Sequence, residues 1–339
     1  MAVETRPGAI DKQAWIEAAQ NSNDNSSSTN KNVFDGLAAG GPRPRIVGGK
    51  NALEGRYPYF VSLLNQVGQH ACGGILVAPD IVMTAAHCSN IKFAQVGRWS
   101  SSLNNDNNND NNEELDGYEE FEVEQPLHPH PLYNAGLSFS HDALLIKLNR
   151  QSTKQYIRIN EDNDLPSSLS ASFLNSMTTV GLGYTEFGDS NSVPAVLQEA
   201  TLSYVPNNVC ERAKDPDAKE TYQGLISDDM LCASDDGEDA CQGDSGGPLV
   251  IKRDSPKDDV LVGIVSWGFG CAHEYFPGVF SRVSYFADWI KMTICEISNN
   301  PPPEFNCGNV VTLPSDENSV PVTVVLQLDD HPAEISWSI

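Results

Sequence analysis

Apolar residues along this chain come in short runs separated by Gly, Pro and Asn, not in long stripes. YFVSLL (59–64), GGILVAPDIVMTAA (73–86) and DALLIKL (142–148) set the texture between Ile46 and about Phe173. Runs of that length bounded by turn formers predict strands. The same texture returns in MTTVGLG (177–183), GGPLVIK (246–252) and VLVGIVSWG (260–268). One segment differs: VSYFADWIKMTI (283–294) places Tyr285, Phe286, Trp289, Ile290, Thr293 and Ile294 roughly on one helical face. The pattern therefore predicts a mainly β domain closed by a helix.

Three polar stretches flank or interrupt that domain. Residues 21–32 are almost wholly Asn, Ser, Asp and Thr, a composition that cannot bury enough apolar surface to offset its ordering entropy. Residues 1–45 accordingly read as a leader without a fold of its own. A second tract, from Asn104 to Glu124, starts in Asn and Asp and ends in carboxylates, and it reads as a long surface loop inserted between strands. Beyond Cys295, NNPPPEFNCGN is a Pro-rich spacer, and VPVTVVLQLDDHPAEISWSI has the look of strand, turn, strand. The expected organisation is a leader (1–45), a main domain (46–295) and a short β-rich tail (296–339).

Charge and cysteine usage narrow the function classes. A formal net charge of −25 and a pI near 4.4 disfavour nucleic acid and anionic membrane surfaces as partners and favour cationic substrates. Eight cysteines, with no paired C-x-x-C knuckles near histidines, read as disulfides in place of zinc ligands. That implies an oxidising compartment, extracellular or in the secretory pathway. Yet the opening MAVETRPGAIDKQAWIEAAQ carries charges where a secretory signal has an apolar run. No stretch approaches the roughly 18 apolar residues of a membrane span. No phosphate-binding Gly loop, haem motif or metal triad appears, so neither cofactor nor metal is expected.

Three separated segments supply what acyl transfer from an amide requires: a nucleophilic hydroxyl, a base to take its proton, and a carboxylate to orient that base. They are TAAHC (84–88), HDALLIKL (141–148) and DACQGDSGGPL (239–249). Together, in the order His, Asp, Ser, they resemble the chymotrypsin and trypsin family of serine peptidases. IVGG at Ile46, SWGFGC at Ser266 and PGVF at Pro277 strengthen the likeness, which covers residues 46 to about 294.

The resemblance implies two six-stranded antiparallel β-barrels with a carboxy-terminal helix. It makes His87 the general base, Asp142 its orienting carboxylate and Ser245 the nucleophile. The N–H groups of Gly243 and Ser245 become the oxyanion site. It places Asp239 at the floor of the primary specificity pocket, with Gly268 and Gly278 as walls and Ser266 and Trp267 beside the substrate. A carboxylate there implies cleavage after Arg and Lys, and Ala240, which lacks a hydroxyl, implies a preference for Arg. Phe139 falls near the second subsite. Arg45 precedes Ile46 as a trypsin-type cleavage site, whose new amino terminus would pair with Asp244. Because no Cys precedes Cys72, the leader is expected to leave after the cut. The family pattern pairs Cys72 with Cys88, Cys210 with Cys232 and Cys241 with Cys271, leaving Cys295 and Cys307 to enclose the spacer. Arg98 stands where the family's calcium loop has a carboxylate, which speaks against calcium. The implied partners are polypeptides with Arg or Lys and proteinaceous protease inhibitors, and a monomer is expected. A binding protein built on an inactive peptidase is the competing reading, and the intact triad, pocket and cleavage site oppose it.

Overall fold

In the computed structural model the described residues are 49–101, 117–167, 176–186, 188, 189, 191–217, 219–235 and 237–307. Arg45, Ile46, most of the Asn/Asp tract and the tail beyond Cys307 lie outside them.

Fifteen short strands are described, and they sort into two sheets. The first is built from β2 (Phe60–Leu64), β3 (His70–Ala78), β4 (Ile81–Thr84), β5 (Phe93–Val96), β6 (Glu119–Glu122), β7 (His128–Pro129) and β8 (Leu144–Lys147). Its order is β6-β5-β2-β3-β4-β8-β7, with every pairing antiparallel. It curls without a full ladder joining its ends. A lone bridge between Val123 and Leu148, flanked by the N–H of Glu124 on the Lys147 carbonyl, brings the two edges together.

The second sheet holds β1 (Lys50–Asn51), β9 (Arg158–Ile159), β10 (Ser176–Gly181), β11 (Gln198–Val205), β12 (Met230–Ser234), β13 (Pro248–Ile251), β14 (Val260–Trp267) and β15 (Gly278–Arg282). Six of them, β11-β10-β13-β14-β15-β12, close into a barrel through the β11–β12 pairing, and β1 adds to the outer edge of β11. The fold is thus the expected two-barrel arrangement, with one barrel closed and the other a curled seven-stranded sheet.

The acidic end of the Asn/Asp tract departs from the sequence reading. Residues 119–122 form β6, because alternate positions suffice for an edge strand: Phe121 is fully buried while Glu120 and Glu122 face out.

Two α-helices are described, α1 (Asn207–Cys210) and α2 (Val283–Ile297). The α2 residues that go inside are Val283, Ser284, Phe286, Ala287, Ile290 and Ile294, a stripe at helical spacing. Tyr285, assigned to that face by the sequence, is exposed. The stripe joins a core formed by β2, β3, β4 and β8 together with Leu261 and Ile264 of β14, so α2 binds both sheets. Each fully buried side chain such as Phe286 contributes about 1.5–3 kcal/mol by leaving water.

After α2 the chain turns back on the first sheet. The Ser298 hydroxyl and the Asn299 N–H both donate to the buried carboxylate of Asp80, between β3 and β4, the latter at 2.7 Å. Phe305 packs against the shared core, and the Cys295–Cys307 disulfide closes the loop. The other three disulfides pair Cys72 with Cys88, Cys210 with Cys232 and Cys241 with Cys271. No described helix is long and apolar enough to cross a membrane.

Candidate active site

The residues singled out in the sequence meet where the two sheets face each other. His87 follows β4 and Asp142 precedes β8; these strands are neighbours, so the two side chains start from adjacent rungs. His87 Nδ1–H donates to Asp142 Oδ2 at 2.8 Å, and the His87 backbone N–H reaches Asp142 Oδ1 at 3.0 Å. The Ser266 hydroxyl donates to the same carboxylate at 2.6 Å, and Ser281 on β15 donates to the Asp142 carbonyl at 2.7 Å. Burial alone would raise the Asp142 carboxyl. The charge of His87 and the hydrogen bonds outweigh it and hold Asp142 below the ordinary carboxylate value. Burial likewise opposes a charged His87, yet Asp142 wins and the imidazole titrates above its usual value. With Nδ1 committed, Nε2 is the nitrogen left to exchange a proton.

Ser245 enters from the turn before β13. Its carbonyl accepts the N–H of Gly73 on β3 at 2.8 Å and lies 3.7 Å from Cys88 Sγ, next to His87. The turn sits so tightly on β3 and β4 that a Cβ on Gly246, whose φ is +78°, would stand 2.0 Å from the Thr84 hydroxyl. Among the described residues no hydrogen bond joins Ser245 Oγ to His87 Nε2. The turn's N–H groups divide cleanly. Those of Asp244, Gly246 and Gly247 bind the carbonyls of Cys241, Val265 and Asp244. Those of Gly243 and Ser245 have no partner among the described residues, which leaves two donors for a developing oxyanion.

One contributor gave no signal in the sequence. His70, pushed down by burial and therefore neutral, donates from Nε2 to the Gly243 carbonyl at 2.9 Å and accepts the Ser62 hydroxyl at Nδ1, 2.8 Å away. A carbonyl can only accept, so this tautomer follows. The pair fixes the Gly243–Asp244 peptide, which lies between the N–H groups of Gly243 and Ser245.

Asp239 is buried beside this turn. Its carboxylate accepts the N–H groups of Ala240 at 2.8 Å and Ala272 at 3.0 Å. Burial nevertheless pushes it up to about 7. A Cβ on Gly278 would lie 2.7 Å from Asp239 Oδ1, so a bare backbone borders the carboxylate, and one on Gly268 would lie 3.8 Å from the Gly278 Cα. Behind them the Tyr222 hydroxyl donates to the Pro277 carbonyl at 2.9 Å and accepts the Phe269 N–H at 3.1 Å. The Tyr222 ring packs on Trp267, Phe269 and Phe276. The Cys241–Cys271 disulfide ties the two loops. Phe139 stands edge-on to the His87 ring, with centroids 5.8 Å apart.

Asp244 is fully buried on the other side of the turn. It accepts the N–H groups of Gly183 at 2.7 Å and Cys241 at 2.8 Å, and burial pushes it up to about 6. Among the described residues neither Asp239 nor Asp244 pairs with a cation.

This geometry can now be set beside known proteins. The family model named Trypsin matches residues 46–290. The chain belongs to the trypsin family. A trypsin from Xenopus laevis is 34% identical over 254 residues, covering 74% of this chain and 91% of that protein. A trypsin from Sarcophaga bullata is 35% identical over 263 residues, covering 75% and 90%. Among solved structures, neuropsin, a serine protease expressed in the limbic system of mouse brain, superposes with a TM-score of 0.59 at 30% identity, covering 73% of this chain and 98% of its own. As a trypsin-like member this protein is a serine endopeptidase, and its substrates are polypeptides. Membership also gives the two unpaired N–H groups, the His87–Asp142 pair and the buried Asp239 a common chemistry to be tested against.

Proposed function

We propose that the protein is the precursor of a secreted endopeptidase that cuts after Arg, and less readily after Lys, once Arg45–Ile46 has been cleaved. Ser245 attacks the scissile carbonyl, His87 takes its proton and later passes it to the leaving amine, and Asp142 stabilises the imidazolium. The N–H groups of Gly243 and Ser245 hold the oxyanion. The observation that carries the specificity is the buried Asp239 carboxylate with the bare backbone of Gly278 against it. A guanidinium of matching length supplies the missing counter-charge in a bidentate pair.

Arg is favoured because Ala240 contributes no hydroxyl that an ammonium could use as an acceptor. Ala240→Ser is expected to raise kcat/KM on Lys substrates several-fold while changing Arg substrates little. Equal Arg and Lys rates in the parent protein would count against the preference. Activation follows from Asp244, a buried carboxylate lacking a cation, to which a new Ile46 ammonium would bring one. The leader, untethered by any cysteine, departs. The four disulfides suit an extracellular setting, where a monomer restrained by proteinaceous inhibitors is the expected form.

Treatment with catalytic trypsin followed by amino-terminal sequencing and peptide-library profiling tests the proposal. Ile46 should appear as a new terminus together with Arg-directed cleavage and labelling of Ser245 by a fluorophosphonate. An Arg45→Ala protein that hydrolyses Arg substrates as fast as the processed form would overturn the activation scheme, and cleavage after acidic or aromatic residues would overturn the specificity.

A further inference from the structure

Asp142 rides on a tight turn with a strained entry. His141, the residue before it, has a φ of +55°, in the left-handed region that a Cβ makes costly. The His141 carbonyl accepts the Ala143 N–H at 2.8 Å, closing a three-residue turn with Asp142 at its apex. Two residues of the preceding loop share the strain, Asn134 and Phe139, with φ values of +57° and +58°. That loop is bonded to itself, through the Asn134 N–H on the Ser140 carbonyl and the Phe139 N–H on Asn134 Oδ1. Backbone of this kind keeps its shape where the surroundings over-determine it.

The outside hold is a carboxylate from the second sheet. The His141 N–H donates to Asp229 Oδ2 at 2.6 Å, short as charge-assisted bonds are. Asp229 stands immediately before β12, buried, and its other oxygen accepts the Ser227 hydroxyl. Its carbonyl accepts the Arg282 N–H at 2.8 Å, and Met230 pairs with Ser281, so Asp229 and Ser281 sit side by side at one end of β12 and β15. From there they grip the turn at two points: Asp229 takes the N–H of His141, and Ser281 the carbonyl of Asp142. The His141 ring is stacked on His130, with centroids 4.8 Å apart. Among the described residues no Lys or Arg pairs with Asp229. A buried charge without a cation is costly, and the bond formed at that cost fixes the residue next to Asp142.

Resting on the triad reading above, we propose that Asp229 is a positioning residue for Asp142: its carboxylate holds His141 in the left-handed conformation and so aims the Asp142 carboxylate at His87 Nδ1. Without that acceptor the entry of the turn relaxes toward a negative φ, and Asp142 leaves the chain in a different direction. What suffers is the alignment and charging of the base, while the contacts that bind a substrate side chain at Asp239 stay as they are. The effect therefore falls on kcat and on the titration of His87 more than on KM.

The test compares the parent with Asp229→Ala, Asp229→Asn and Ser227→Ala, each as the full chain cleaved at Arg45–Ile46 by trypsin. Read on an Arg amide are kcat and KM separately and the acid limb of kcat/KM, with the thermal midpoint beside them. Asp229→Ala should lower kcat by about ten- to a hundredfold with KM within about threefold. Its acid limb should move down by about half a pH unit, as His87 loses part of the hold of Asp142. Asp229→Asn keeps an oxygen for the His141 N–H and should recover most of kcat. Ser227→Ala, which frees one carboxylate oxygen, should lower kcat roughly two- to threefold with the limb shifted the same way. An Asp229 that only stabilises the fold would lower the thermal midpoint and leave kcat and limb in place, and that result overturns the inference. Should Asp229→Ala fail to fold, Ser227→Ala decides, an unmoved kcat and limb again overturning it. A parent inactive after cleavage, or one unharmed by Asp142→Asn, fails the triad reading and this inference with it. A parent disabled by Asp142→Asn beside a fully active Asp229→Ala removes this inference alone.

Discussion

Asp239 is the side chain on which the environment acts most visibly. Its free carboxyl is pushed up to about 7, and a bound guanidinium or amidinium would pull it down. The sign follows: below about pH 7 the empty pocket is protonated, so a cationic ligand must expel that proton. Benzamidine affinity should fall by roughly tenfold per unit as pH drops from about 7 toward the ordinary carboxylate range. Calorimetry in buffers of different ionisation enthalpy should register nearly one proton released at pH 6, and an affinity flat between pH 5 and 8 would refute the assignment. His87 acts in the same direction. It is held above the usual imidazole value by Asp142, and only the neutral ring can act as base, so the acid limb of kcat/KM should lie above pH 6.5. Asp142→Asn should drop that limb and cost roughly 10⁴-fold in turnover, measured on an Arg amide. At this scale the motifs around His87 and Asp142 marked two residues that the fold brings into contact. The sequence was silent on Ser62, His70 and Ser281, because their partners lie on other elements and no spacing along the chain records such a hydrogen bond.

Elements were legible to the extent that their burial is one-sided or total. The runs at β2, β4, β13 and β14 are buried along nearly their whole length and announced themselves as strands. β6 did not, since one inward residue, Phe121, among carboxylates is too little period for recognition. Tyr285 misled because it lies on the outward side of a stripe that runs through Val283, Phe286, Ala287, Ile290 and Ile294. Gly278 and Gly268, the walls of the proposed pocket, also belong to this scale: β15 begins at Gly278 and Gly268 directly follows β14. Gly278→Ala would force a methyl to within 2.7 Å of Asp239 Oδ1. The expected outcome is a rise of at least tenfold in KM for Arg substrates, with fluorophosphonate labelling of Ser245 unchanged in extent. Loss of labelling would mean that the turn, and not the pocket, had been damaged.

For the molecule as a whole, the two sheets were predicted, but not their union. The core that α2 completes draws on both, and the residues that seal it after Ile297 carry no hydrophobic period to betray them. The carboxylate of Asp80 holds two donors from residues 298 and 299 at once. Asp80→Ala should therefore cost roughly 1.5–3 kcal/mol, read as a shift in the urea midpoint with the slope unchanged. Within the described residues the chain passes from the second sheet to the first, returns, and after α2 is pinned to the first again, buckled like a belt. Neither barrel can be peeled away while the buckle holds, so heat or denaturant should melt the pair in one coincident transition, followed equally well by tryptophan fluorescence and by far-ultraviolet circular dichroism. Undoing the buckle is the way to make the halves part company.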